Sequence, residues 1–140
     1  MLDQEIIEIA KNIYDTEIKS LEKRMNKLSE NFVKVVRKIY DCKGKVVVTG
    51  ESDEILAIMP AIKNIGAYII AMTGNINSRL AKASDLYINT HVDEEGCPLN
   101  LAPMSSTTNA LVMGDAIAGC LMKLRNFSPQ NFAMYHPGGS

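Results

Sequence analysis

The stretch KVVVTGESDEIL (45–56) carries an apolar strand through a single glycine into a helix start. Its residue types suit one chemistry, the holding of a phosphate. In open α/β folds, ligands bind beyond the carboxyl ends of parallel strands. Gly50 lets a ligand approach the backbone closely, and Thr49 and Ser52 place hydroxyls on either side of it. The unpaired N–H groups of a helix beginning near Ser52 would point at the same spot, and the helix dipole favours an anion there. The pattern has a second reading. Ser52 surrounded by Glu51, Asp53 and Glu54 is also what a well-capped helix shows without any ligand.

Two further residues have acid–base capacity. Glu95, in EEGCP, lies on a loop after the third predicted strand, where folds of this kind present active-site groups; the plain alternative is an exposed loop acid. His136 precedes Pro137, which biases it to an extended backbone that projects the ring, and an imidazole with an unperturbed pKa of roughly 6.5 can give or take a proton near neutrality. A lone histidine at this place in a chain also reads as plain surface. His91 sits at a strand end and reads as structural or solvated. Asp115, within an apolar helix, reads as a satisfied interior or interface acid. Cys97 has no histidine close in sequence and precedes a proline, which argues against a nucleophile. No metal-ligand spacing is present, and no cofactor or metal is expected.

These residues must be positioned by a modest set of elements. Leu2, Ile6, Ile9 and Ile13 recur at helical spacing, and Leu21, Met25 and Leu28 continue the stripe. Ser29 is placed to cap a second helix carrying Phe32, Val35, Val36 and Ile39. Neither helix is apolar enough to be central, so both are expected against the domain or a second subunit. From Gly44 onward, three short apolar runs (VVVT, AYIIAMTG at 67–74 and DLYIN at 85–89) alternate with helical segments. Continuous apolar strands imply a parallel sheet covered on both faces. The first intervening helix starts near Ser52, and Pro60 is expected to kink or shorten it. A short helix follows around 78–82. After the loop VDEEGCPLNLAPMS comes a long helix over 105–123, whose Gly114, Ala116, Ala118 and Gly119 permit close packing. Ser128-Pro129 reads as the cap and first turn of a last helix.

Bulk properties narrow the class. The 140 residues make a single domain, 1–140, with N-terminal helices over 1–42 and the sheet with its covering helices over 44–140. Fifteen basic and sixteen acidic residues give a formal charge of -1, without the basic stripe of a nucleic-acid binder. The mixed charges over 19–27 read as a solvated helix face. Three widely spaced cysteines fit reduced thiols in the cytoplasm. The acidic N-terminus is unlike a signal peptide, and the longest apolar run, 110–122, is too short to span a bilayer. A cytoplasmic protein without membrane or nucleic-acid partners is expected.

From Gly50 to Gly139 the chain resembles the second half of the sugar-isomerase (SIS) domain of bacterial arabinose-5-phosphate isomerases. GESDEIL, CPLNLAPMSSTTNALVMGDA and FAMYHPGG carry the resemblance, and the N-terminal helices ending in KGKVVVTG are similar to the start of the same family. The departure is as clear. Family members follow VVVTG with a G-x-G-K-S-G loop, then more helices and strands, and a later strand ends in S-N-S-G-E-S. Here Gly50 belongs to both ends at once, so an internal segment is missing and the loop lysine has no counterpart. Val47 to Ser52 stands for S-N-S-G-E-S, retaining only part of its hydroxyls. No paired CBS modules are expected after HPGG.

The resemblance implies an α/β fold: a three-layer, SIS-like (flavodoxin-like) domain with a reduced parallel sheet and long N-terminal helices. It implies interconversion of D-arabinose 5-phosphate and D-ribulose 5-phosphate through an enediol. Glu51, Glu95 and His136 fall on positions to which the family's catalysis is ascribed. Thr49, Gly50 and Ser52 would hold phosphate, and Ser105, Ser106 and Thr107 would hydrogen-bond the sugar phosphate, although such a helix start is also ordinary capping. A bare sheet edge implies a homo-oligomer. The alternative is a non-catalytic sugar-phosphate-binding or oligomerisation domain, or a deletion product without a ligand.

Overall fold

The computed structural model describes residues 3–44 and 53–136. Its elements run in the order α1 (Asp3–Met25), α2 (Glu30–Tyr40), α3 (Asp53–Asn64), β1 (Ile70–Thr73), α4 (Arg79–Ala83), β2 (Leu86–Asn89), α5 (Ser105–Leu124) and α6 (Pro129–Tyr135). The expected strand at 46–49 lies outside the described residues.

β1 and β2 pair in parallel, Ile70 opposite Leu86 through Thr73 opposite Asn89. The Thr90 N–H donating to Thr73 O at 2.9 Å extends the ladder by one step. Because side chains alternate along a strand, the pair presents two apolar faces. Ile70, Met72, Leu86 and Ile88 meet Val35 and Val36 of α2 and Met113 and Ile117 of α5. Ile69, Ala71 and Tyr87 meet Ile55, Leu56 and Met59 of α3 and Leu80 of α4. Helices therefore cover both faces, and the chain is the three-layer α/β arrangement that its apolar strands imply.

Several expectations are corrected by the packing. α2 is central rather than peripheral: Val35 is 1% exposed and sits in the larger cluster. A short helix needs only two or three buried positions to join a core, and burial of each such side chain stabilises by about 1.5–3 kcal/mol. α3 continues through Pro60 to Asn64 and is not shortened. At Gly114 and Gly119 of α5 an added Cβ would meet nothing within 4 Å among the described residues, so these two glycines make no close packing there. Asp115 is exposed, not interior. Ser29 does stand at the N-cap of α2, yet its side chain makes no capping bond.

Other local signals act as their chemistry dictates. Ser78 Oγ accepts from the Ala81 N–H and starts α4. At α6 the Ser128 hydroxyl accepts from the Asn131 N–H at 3.2 Å while the Ser128 N–H donates to Asn131 Oδ1 at 2.9 Å, a reciprocal cap with Pro129 in the first turn. No helix among the described residues is long and apolar enough to cross a membrane.

Candidate functional site

The loop between β2 and α5 is held from both sides. On one side, α5 reaches the end of β2, where Asn109 Nδ2 donates to Thr90 O at 2.9 Å; Asn109 is 2% exposed. On the other side lies α1. Thr108 Oγ1 donates to Glu17 Oε2 at 3.1 Å. A Cβ on Gly96 would stand 3.2 Å from Ile13 Cγ2 and 3.3 Å from Glu17 Cγ, so a larger residue here would push the α1 side chains aside by a few tenths of an ångström. Within the loop, the Glu95 N–H donates to Asn100 Oδ1 at 2.7 Å, and the Asn100 N–H to Cys97 O at 2.8 Å. Asn100 takes a left-handed backbone, φ 51°, a conformation that asparagine tolerates better than most residues.

This frame aims Glu95 at the first turn of α5. Its Oε2 accepts from the Met104 N–H at 2.7 Å and the Ser106 N–H at 3.1 Å. The residue at the helix N-cap, Met104, has no side chain able to do this, so a carboxylate nine residues earlier in the chain satisfies the orphan donors. Partial burial pushes the Glu95 pKa up. The Ser106 hydroxyl and the N–H groups of Met104, Ser106 and Ser105 outweigh it, and the carboxyl titrates below its ordinary range. At neutral pH Glu95 is an oriented, ionised carboxylate.

The three hydroxyls at this helix start are placed differently. Ser105 is 1% exposed and its buried Oγ has no hydrogen-bond partner among the described residues. Ser106 is half-buried beside the Glu95 carboxylate. Thr107 is exposed, with its hydroxyl directed back to Met104 O at 2.9 Å and Pro103 O at 3.3 Å. Helix-capping by Glu95 is a role that a sequence search for Ser or Thr caps overlooks; its signal is a glutamate shortly before a helix whose own N-cap position holds methionine.

His136 stands at the end of α6. Its N–H donates to Phe132 O at 3.0 Å, and its exposed ring lies tilted over Phe132 with centroids 4.5 Å apart. No hydrogen bond or ion pair among the described residues joins it to Glu95. Thr49, Gly50, Glu51 and Ser52 lie outside the described residues. His91 acts through its backbone: its N–H donates to Asn89 Oδ1 at 2.8 Å and its carbonyl accepts from Arg24 Nη2 at 2.8 Å. Among the described residues no group of three or more His, Cys, Asp or Glu is placed to hold a metal.

The layered α/β frame, the parallel strand pair and the loop-to-helix site define the class, and the family comparison agrees: residues 46–119 match the SIS domain model, and the chain belongs to the SIS-domain family. Among individual proteins it is 48% identical over 101 residues to arabinose 5-phosphate isomerase KpsF of Escherichia coli, an alignment covering 72% of this chain and 32% of that protein. Against arabinose 5-phosphate isomerase KdsD of Francisella tularensis it is 52% identical over 92 residues, 66% of this chain and 28% of the relative. The matched part thus spans about a third of these curated relatives. The solved structure of E. coli CFT073 c3406 in complex with arabinose 5-phosphate superposes with a TM-score of 0.90 at 26% identity, covering 98% of this chain and 100% of that one. A Listeria monocytogenes structure with a TM-score of 0.90 and 24% identity shares the fold.

Proposed function

We propose that this SIS domain binds a pentose 5-phosphate and interconverts D-arabinose 5-phosphate and D-ribulose 5-phosphate. The observation that carries the reading is the Glu95 carboxylate, fixed by two backbone N–H groups and ionised, on the loop beyond β2. The relatives named as arabinose 5-phosphate isomerases and the neighbour solved with arabinose 5-phosphate support the substrate class.

In the forward direction a base removes the proton from C2 of the open-chain aldose while an acid protonates O1, giving an enediol. A proton then returns to C1 as the O2 proton leaves. Glu95 and His136 are the proton carriers of this reading, with Glu51 beside them, and Thr49, Gly50 and Ser52 hold the phosphate. Ser106 and Thr107 face the substrate at the start of α5, while Ser105 lies beneath them. Each positioned acid or base contributes roughly 10²–10⁴ in rate.

The domain works as a homo-oligomer in this reading. The exposure of Ile6, Ile7 and Ile18 of α1, Leu111 of α5 and Met134 of α6 supports it. A second reading, sugar-phosphate binding without turnover, is favoured by one observation: the Glu95 carboxylate is engaged in capping α5.

A proton NMR time course of arabinose 5-phosphate in D₂O tests both readings. Isomerisation yields ketose and places deuterium at C2 of the returned aldose, and Glu95→Gln abolishes both. A flat trace with saturable shifts of the sugar signals would leave binding alone.

A further inference from the structure

Arg24, near the end of α1, is 8% exposed and therefore withdrawn from water. Among the described residues it forms no ion pair and one hydrogen bond, from Nη2 to His91 O at 2.8 Å; its buried Nε has no partner. Burial pushes its pKa down, and no carboxylate opposes the shift. On the loop after β2, Asp93 and Glu94 line a second, neighbouring cleft with Arg24, but Asp93 is bonded to Lys23 and lies 3.4 Å from His91 Nε2. A buried cation without a counter-charge is costly unless something supplies one.

Arg24 lines a cleft of about 300 Å³ between the end of α1, the first turn of α2 and the end of β2. Among the described residues its polar lining includes Arg24, Lys27, Ser29, Asn31 and Asn89 and no carboxylate. Glu30, the acid of the α2 first turn, is exposed and does not line it. α2 is also open at this end. Ser29 is extended at the N-cap with no side-chain capping bond, and the N–H groups of Glu30 and Asn31 have no partner among the described residues. Unsatisfied N–H groups and the positive end of an 11-residue helix thus meet a buried guanidinium and a lysine. Phe32, Ile88 and Met113, which share the cluster of α2, β2 and α5, form an apolar wall beside them, and the volume suits a small organic body.

We propose that this cleft binds a phosphate monoester, its phosphate held by Arg24, Lys27 and the open N-terminus of α2, and its apolar part lying on Phe32, Ile88 and Met113. The proposal does not rest on the isomerisation reading, and among the described residues of that reading none of Glu95, Ser105, Ser106, Thr107 or His136 lines the cleft.

The test follows the Arg24 Nε–H signal in ¹⁵N-correlated NMR, assigned by its loss in Arg24→Lys, during titration with inorganic phosphate and with phenyl phosphate. The expected result is a saturable shift with both, at lower concentration for phenyl phosphate, with about tenfold weaker binding in Lys27→Ala from loss of one charge-assisted contact and no change in Glu95→Gln. Arg24→Met removes the buried charge together with its bond to His91 O, and in that variant the Asn89 side-chain amide should no longer shift with phenyl phosphate. An Arg24 signal that does not move, a Lys27→Ala variant that titrates like the parent, a response to inorganic phosphate alone, or an Asn89 shift that survives in Arg24→Met would each overturn the proposal. Glu95→Gln losing turnover while keeping the Arg24 response would separate this site from the isomerase site; a flat isomerisation trace would leave the cleft test unaffected.

Discussion

The Ser106 N–H and Glu95 Oε2 are 3.1 Å apart across eleven residues of chain, so the loop beyond β2 ends the helix that follows it with a side chain rather than with its own last residue. The same carboxylate is the proposed proton carrier, and stability and chemistry therefore converge on one group.

Glu95→Gln should lower stability at pH 7 by about 1–2 kcal/mol, the typical loss of a charged cap, measured by urea unfolding. The pH dependence has a fixed sign. The folded pKa of Glu95 lies below the ordinary 4.5, so its contribution is present above that value and is lost as pH falls through the lower folded pKa. The gap between parent and variant should be constant from about pH 6 to 8 and close under acid conditions. A gap that widens as pH falls would contradict the capping role.

Ser105→Ala should leave stability unchanged or raise it by about 1 kcal/mol, because it removes a buried hydroxyl without a partner. Thermal unfolding reads this directly. The same variant assayed for KM tells whether the hydroxyl reaches substrate, since a raised KM with an unchanged or higher melting temperature requires such contact.

Cys97 should react with iodoacetamide faster than Cys42 or Cys120. The backbone N–H groups of Leu101, Ala102, Leu99 and Asn100 lower its pKa against a smaller opposing effect of burial, and the thiolate is the reactive form. Peptide mapping after brief alkylation near neutral pH gives the order; equal labelling of all three would contradict it.

Met113→Ala should cost about 2–5 kcal/mol, as a large-to-small change in the cluster shared by α2, β2 and α5. Leu111→Ala, two residues away and exposed, should change the dilute monomer by less than about 0.5 kcal/mol. In an oligomer the second variant acquires a cost that grows with protein concentration, which analytical ultracentrifugation alongside unfolding would reveal.

Much of the layered frame was legible because strands and helices betray themselves by period. Ile70 to Thr73 and Leu86 to Asn89 fall within the two apolar runs, and Ser78 and Ser128 cap where their types suggest. The role of α2 was not legible, since burial of Val35 depends on which surface faces it and not on how apolar the helix is overall. The capping partner of α5 was also hidden: the helix start SSTT advertises its own hydroxyls, whereas the donors are satisfied from Glu95. Arg24 was unreadable for a related reason. A charge in a mixed run looks solvated until β2 and its following loop close over it.

The bond between Glu17 and Thr108 spans 91 positions, and this has a consequence for the order of events during synthesis. Chains are made from the N-terminus and gain order as their later parts appear, while contacts of long sequence separation form late. α1 leaves the ribosome well before the surface of α5 and the Gly96 loop that it braces. Until then its isoleucines have no complete seat. α1 is therefore made long before α5 yet is among the last elements to find its place, and deleting α1 should impair the shape of the Glu95 loop before it impairs the strand pair.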